Sequence, residues 1–243
     1  MSTLGYFVMP DGCRIAHRHI DGKSPLIVFL PGYMSDMDGG KATSLFNKAR
    51  AEGHACLLLD YSGCGQSDGD FANGTLSRWR DEVLALIDHV TDKPVILVGS
   101  SMGGWLMSLV GLALGERLHG MAGIAAAPDF SDWGYTEKQK ACLASGETVF
   151  EDNPYGPEPT PTYALFWNDA EDHRLLKSEI AVDCPVRLLH GQRDEDVPWQ
   201  TSMRLAEKLR SENIQLTLIK DGDHRLSRDE DIALLIRQVW SLI

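Results

Sequence analysis

Five residues, Gly99-Ser100-Ser101-Met102-Gly103, stand directly after the apolar run Val95 to Val98 and before a helical stretch, Gly104 to Leu114. A serine in a G-x-S-x-G turn between strand and helix occupies a strained backbone position that holds its hydroxyl above the sheet, and small neighbours let the chain reverse so tightly. Ser101, unlike Ser100, has glycine two positions away on both sides, so Ser101 is the nucleophile candidate. A serine hydroxyl is a weak nucleophile at neutral pH. A histidine must take its proton, and a carboxylate must hold that histidine in the right tautomer.

Both partners are expected downstream, in loops at the carboxyl ends of later strands. One such loop, His190-Gly191-Gln192-Arg193-Asp194-Glu195-Asp196-Val197-Pro198, follows the run Val186 to Leu189; the other, Asp221-Gly222-Asp223-His224, follows Gln215 to Ile219. Asp194 lies 93 residues beyond Ser101, which leaves room for an inserted segment, and His224 lies 30 beyond Asp194, enough for one helix-strand unit. Of eight histidines only His224 sits in such a loop directly before a helix start, and it is the expected base. His190 ends a strand and is its main rival, although Gly191 after it suggests a structural turn. Asp194 is the favoured acid; Glu195 and Asp196 compete by charge, and Asp129 is a second place from which a carboxylate could reach the histidine. Attack on a carbonyl also needs preorganised N–H donors for the oxyanion. Met102, after the nucleophile, should donate one, and Tyr33 in the turn Leu30-Pro31-Gly32-Tyr33 the other, with Gly32 permitting the close approach.

These residues need a scaffold, and the chain predicts an α/β one. Runs of Val, Ile and Leu at Leu26 to Leu30, Ala55 to Leu59, Val95 to Val98, Met121 to Ala125, Val186 to Leu189 and Gln215 to Ile219 alternate with helical periods. Several runs are continuous, as strands covered on both faces should be. Tyr6 to Met9 and Arg14 to Ile20 bracket the turn Pro10-Asp11-Gly12 and predict an antiparallel hairpin at one sheet edge, for eight strands in all. Helices are clearest at Thr75 to Val90 and at the C-terminus, where Ser227 and Glu230 stand at capping-box spacing.

Residues 129–180 break the alternation, with Pro154, Pro157, Pro159 and Pro161, short helical patterns and no convincing strand. They predict a small helical cap inserted between core segments 1–128 and 181–243 of a single domain. Eight of the chain's 19 aromatics fall within residues 130–167: Phe130, Trp133, Tyr135, Phe150, Tyr155, Tyr163, Phe166 and Trp167. Trp133, Phe166 and Trp167 are the expected substrate contacts, an apolar cover over the site; the alternative is that the excursion needs its own small core.

Composition narrows the partners. The chain has 243 residues, and its 23 Lys and Arg against 35 Asp and Glu give a net charge of −12, the wrong sign for nucleic acid or an anionic membrane surface. Five widely spaced cysteines without a C-x-x-C pair indicate neither a disulfide framework nor a zinc ribbon. No apolar run approaches the roughly 20 residues of a membrane span, and the start Met1-Ser2-Thr3-Leu4-Gly5 lacks a secretory pattern. The expected compartment is the cytoplasm, or the mitochondrial matrix if a transit peptide has been removed. Gly63-Cys64-Gly65 and Gly99 to Gly104 both lack the glycine phase of a dinucleotide-binding turn. No metal or organic cofactor is expected, and no feature specifies an oligomeric state.

Taken together, these residues resemble the α/β-hydrolase superfamily over essentially the whole chain. The Asp60-x-x-Gly63-x-Gly65-x-Ser67 turn is similar to one of that family's tight turns. Within the superfamily, three stretches look closest to the mitochondrial palmitoyl-protein thioesterase and mycophenolic acid acyl-glucuronide esterase group. They are Leu30 to Ser35; Gly99 to Met107; and Cys184 to Gly191, running on through Asp194 and Val197-Pro198-Trp199 to Asp223-His224-Arg225. That resemblance implies Ser101 as nucleophile, Asp194 as acid and His224 as base. It also implies an S-acyl thioester such as S-palmitoyl cysteine, or the ester of an acyl glucuronide, carried by a small molecule or a peptide. A short-chain carboxylesterase and a catalytically silent scaffold binding an acyl ligand are the alternatives.

Overall fold

The continuous apolar runs become the parallel body of one sheet. A computed structural model describes residues 4–153 and 156–243, so Met1-Ser2-Thr3, Pro154 and Tyr155 lie outside the described residues. In chain order the elements are β1 (Gly5–Val8), β2 (Arg14–Ile20), β3 (Lys23–Leu30), α1 (Gly40–Glu52), β4 (His54–Leu59), α2 (Leu76–Val90), β5 (Val95–Ser100), α3 (Met102–Leu114) and β6 (Leu118–Ile124). They continue with α4 (Phe130–Trp133), α5 (Glu137–Ala144), β7 (Val149–Glu151), β8 (Thr160–Thr162), α6 (Ala164–Asp172), β9 (Val186–Gly191), α7 (Gln200–Lys208), β10 (Ile214–Ile219) and α8 (Asp229–Trp240).

The main sheet has eight strands in the order β1-β2-β4-β3-β5-β6-β9-β10. From β4 to β10 neighbours run parallel, while β1 and β2 form the antiparallel edge hairpin expected from the Pro10-Asp11-Gly12 turn. Alternate residues of one strand feed two separate cores. Leu26, Val28, Val95 and Leu97 pack with Trp79 of α2 and Trp105 of α3. Ile27, Phe29, Ile96 and Val98 pack with Leu45 and Phe46 of α1 and Leu235 of α8. A strand sandwiched in this way can only be apolar on both faces, which is why these runs do not alternate.

Helix α2 begins one residue inside the predicted Thr75 to Val90: Thr75 is its N-cap, and the Thr75 hydroxyl accepts from the Arg78 N–H at 3.0 Å. The start of α8 is displaced by one residue from the Ser227/Glu230 spacing. Arg228 is its N-cap, and the Asp231 carboxylate accepts from the Arg228 backbone N–H at 3.2 Å and from its guanidinium at 2.8 and 2.9 Å. Glu230 instead pairs with Arg228 at 3.4 Å. A charge-assisted fork outweighs what a serine hydroxyl offers at the neighbouring position.

The excursion between β6 and β9 is not purely helical. Alongside α4, α5 and α6 it contains an antiparallel pair, β7 with β8, in which Phe150 faces Pro161. Strands of three residues are too short to display a period of two, and Pro161 reads as a breaker. It is tolerated because a two-stranded pair has only edges, where a missing N–H costs no ladder bond.

Candidate active site

The turn after β5 is as tight as its glycines demand. Ser101 sits at φ 55° and ψ −121°, a left-handed conformation that side chains rarely adopt. Its backbone is tied on three sides: its N–H donates to the Ile124 carbonyl at 2.9 Å, and its carbonyl accepts from the Gly104 and Ala127 N–H groups at 2.8 and 3.0 Å. A Cβ at Gly99 would lie 2.3 Å from the Gly103 oxygen, and one at Gly103 would lie 2.1 Å from the Leu30 oxygen. Steric exclusion therefore dictates glycine on both sides of the serine.

Three separate loops meet at this turn. His224 Nε2 is 3.1 Å from Ser101 Oγ, and His224 Nδ1 is 2.8 Å from Asp194 Oδ2. An ionised carboxylate only accepts, so Nδ1 carries the proton and donates, leaving Nε2 to accept from the Ser101 hydroxyl. The Asp194 side chain is 0% exposed and His224 16%. Burial by itself raises the Asp194 carboxyl; the hydrogen bonds from His190 and His224 outweigh it and hold the group well below the usual carboxylate range. Its other oxygen, Oδ1, accepts from the Asp196 and Val197 N–H groups at 3.0 and 2.8 Å.

The rival acids differ in their surroundings, and Asp196 keeps a carboxylate oxygen within 4.8 Å of a His224 nitrogen. Glu195 and Asp196 are exposed. Asp129 is buried, but its oxygens accept from the Leu175 and Leu176 N–H groups at 2.7 and 2.8 Å and so pin the end of the excursion. His190, the rival base, is buried behind Asp194, at 3.0 Å from Oδ2. Among the described residues one group could offer metal ligands, Asp194, Asp196 and His224, with ligand atoms within 4.8 Å of one another. Both Asp194 oxygens and His224 Nδ1 are already engaged in hydrogen bonds.

The loop after β3 borders the same point. A Cβ on Gly32 would lie 3.3 Å from Ser101 Cβ, which puts the Gly32-Tyr33 peptide against the serine. Among the described residues the Tyr33 and Met102 N–H groups donate to no acceptor. The loop is fixed from behind: the Tyr61 hydroxyl donates to the Pro31 carbonyl at 3.1 Å, and the Asp60 carboxylate accepts from the Met37 and Gln66 N–H groups at 2.7 and 2.8 Å. The Asp60-x-x-Gly63-x-Gly65-x-Ser67 turn is thus a brace for the Tyr33 loop. Ser101 and His224 open onto a cleft of about 690 Å³, walled by Tyr33, Phe130, Trp133 and Tyr135 on one side and by Lys41 and Arg225 among others.

The alpha/beta hydrolase family model matches residues 27–236. The chain belongs to the alpha/beta hydrolase family. The mitochondrial palmitoyl-protein thioesterase ABHD10 of Mus musculus is 43% identical to this hydrolase over 248 residues, covering 100% of the chain and 83% of that protein. The solved structure of mouse alpha/beta hydrolase domain-containing protein 10 superposes with a TM-score of 0.91 at 38% identity, covering 99% of this chain and 98% of that one. A putative hydrolase from Agrobacterium vitis S4 gives a TM-score of 0.92 at 35% identity, covering 100% and 98%. The likeness read from three stretches therefore extends across the whole hydrolase.

Two of the three expected substrate contacts do not reach the cleft of the hydrolase. Trp133 lines it. Phe166 is 1% exposed and packs among Tyr33, Trp79 and Phe130, with ring centroids 5.0 to 5.8 Å away. Trp167 donates Nε1–H to the Ser131 carbonyl at 3.0 Å and packs against the small cluster of Tyr135, Leu143 and Val149. Phe166 is taken up in docking the excursion against the main core beside Trp79, and Trp167 in the excursion's own small cluster. Phe130 and Tyr135 line the cleft instead, and aromatic composition alone could not separate lining from core. Phe166→Ala is expected to destabilise the hydrolase by about 3–5 kcal/mol, a drop in Tm of roughly 10 °C by scanning calorimetry, with KM little changed.

Proposed function

We propose that the hydrolase cleaves carboxylic esters and thioesters through an acyl-enzyme on Ser101, with S-acyl cysteine of the palmitoyl type as the substrate class. The unbroken line of hydrogen bonds from Ser101 Oγ through His224 to the buried Asp194 carboxylate, opening onto a cleft, carries this reading. His224 Nε2 takes the serine proton as Oγ attacks the acyl carbon, and Asp194 stabilises the imidazolium that forms. The Tyr33 and Met102 N–H groups receive the negative oxygen. His224 then protonates the departing thiolate or alkoxide, and a water activated by the same imidazole releases the acid. No metal enters any step, so turnover in the presence of a chelator is expected to match the untreated rate.

Residues 129–180 act as a cap over the core formed by 1–128 and 181–243, with Trp133, Phe130 and Tyr135 facing the acyl group. The thioester is favoured because the curated relatives carry that activity in their names. Those names also include the word mitochondrial, which supports the matrix rather than the cytoplasm as the compartment. One observation favours acyl glucuronides as a second substrate: Lys41 and Arg225 line the cleft and suit the carboxylate of a sugar acid. Burial, with Arg225 beside it, lowers the Lys41 ammonium to about 8. Steady-state kcat/KM for a palmitoyl-cysteine peptide, an acyl glucuronide and p-nitrophenyl acetate ranks the substrates. A thioester value below that of the simple acetate ester would overturn the thioesterase assignment.

A further inference from the structure

The Asp194 carboxylate has room for about four hydrogen bonds, and all four are made. Two are backbone N–H groups on Oδ1, and one is His224 Nδ1–H on Oδ2 at 2.8 Å. The fourth, at 3.0 Å on the same Oδ2, is Nε2 of His190. His190 is the penultimate residue of β9 and is 0% exposed. Its Nε2 also lies 3.0 Å from the Val197 carbonyl, and its Nδ1 lies 2.7 Å from Ser202 Oγ on α7. Nε2 faces two acceptors, so it must carry a proton; a neutral ring then accepts the Ser202 hydroxyl proton at Nδ1, and every polar atom is satisfied without burying a cation.

We infer that His190 is a positioning residue: as a neutral Nε2–H donor, itself oriented by Ser202, it fixes Asp194 Oδ2 in the plane that His224 requires. The inference rests on the Ser101–His224–Asp194 reading proposed above. A residue serving packing alone at this position would be apolar, because an imidazole with both nitrogens buried must find two partners to break even. Here one partner is the carboxylate that holds His224, and the other ties the ring to the helix following the Asp194 loop. The same N–H contributes to holding the Asp194 carboxyl below its usual range. His190 touches neither substrate nor the reacting atoms. It acts through Asp194, by limiting rotation of the carboxylate and by sharing the oxygen that His224 uses.

Two amide substitutions separate this role from a structural one. Glutamine at this position carries its nitrogen about where Nε2 lies, whereas asparagine reaches only as far as Nδ1. His190→Asn keeps a partner for Ser202 and loses the donor to Asp194; His190→Gln restores that donor. With p-nitrophenyl acetate, His190→Asn is expected to lower kcat about tenfold or more with KM within about twofold, and His190→Gln to recover kcat to within about threefold of wild type. The rate of Ser101 labelling by a fluorophosphonate probe should follow the same order, and Tm should not. Equal loss in both variants, no loss in either, or losses that track Tm would overturn the assignment. Turnover or labelling that persists in Ser101→Ala would instead remove the relay on which it rests.

Discussion

Ser101→Ala is expected to lower hydrolysis of a palmitoyl-cysteine peptide by about four to six orders of magnitude, to the level set by oxyanion donors and binding alone. The size follows from the role: without Oγ there is no acyl-enzyme, and neither His224 nor Asp194 offers a replacement nucleophile at that point. Stability should move little. Among the described residues the Ser101 hydroxyl hydrogen-bonds to His224, while the strained turn is held by its backbone bonds to Ile124, Gly104 and Ala127. Unchanged thermal unfolding beside abolished turnover therefore distinguishes chemistry from folding. Retention of more than about a hundredth of the wild-type rate would sink the nucleophile assignment. Wild-type protein that turns over no ester, yet still binds an acyl ligand as tightly as Ser101→Ala, would favour the silent scaffold.

Asp194→Asn is expected to cost about three to four orders of magnitude in kcat at neutral pH, with KM nearly unchanged. An amide nitrogen facing His224 Nδ1 would turn the imidazole to the tautomer that cannot accept the serine proton. Glu195→Gln, an exposed neighbour one position on, should stay near wild type. Asp129→Asn should lower Tm and leave the relay intact, because that carboxylate pins the Leu175-Leu176 peptides rather than His224. The acid dependence carries a definite sign. The folded-state pKa of Asp194 is depressed, so its ionised form stabilises the fold throughout the range above the ordinary carboxylate value, and that contribution disappears as pH falls through the folded value. The Tm difference between wild type and Asp194→Asn should accordingly narrow in strong acid. A difference that widened there would contradict the hydrogen-bonded, ionised carboxylate.

Much of the fold could be read directly because its signals are local. A strand covered on both faces has to be apolar at successive positions, as Leu26 to Leu30 and Val95 to Val98 are, and a turn whose Cβ positions are filled by backbone oxygens has to be glycine, as at Gly99 and Gly103. Helix α2 shows itself through the spacing of its apolar positions, and Leu76, Trp79, Val83 and Ile87 are buried. The elements that escaped are those whose determinants are too short or too distant. The three-residue β7 and β8 show no period, and the start of α8 was displaced because a guanidinium–carboxylate pair outcompeted a hydroxyl.

The sequence by itself singled out Ser101 and His224 as the candidate nucleophile and base, and the chain order of the strands and helices that carry them, because each depends on sterics and periodicity within a few residues. Only the tertiary structure decided which of Asp194, Glu195, Asp196 and Asp129 meets His224, and that His190 stands behind the chosen carboxylate. Which aromatics line the cleft was likewise settled in three dimensions: Trp133, Phe130 and Tyr135 do, whereas Phe166 is buried in the main core and Trp167 packs half-buried against the excursion's own small cluster. The physical reason is common to all of these. Adjacent carboxylates share charge and composition, and clustered aromatics share hydrophobicity. What separates them is the direction in which a loop or a short helix turns each side chain, and that direction is set by contacts with segments tens of residues away.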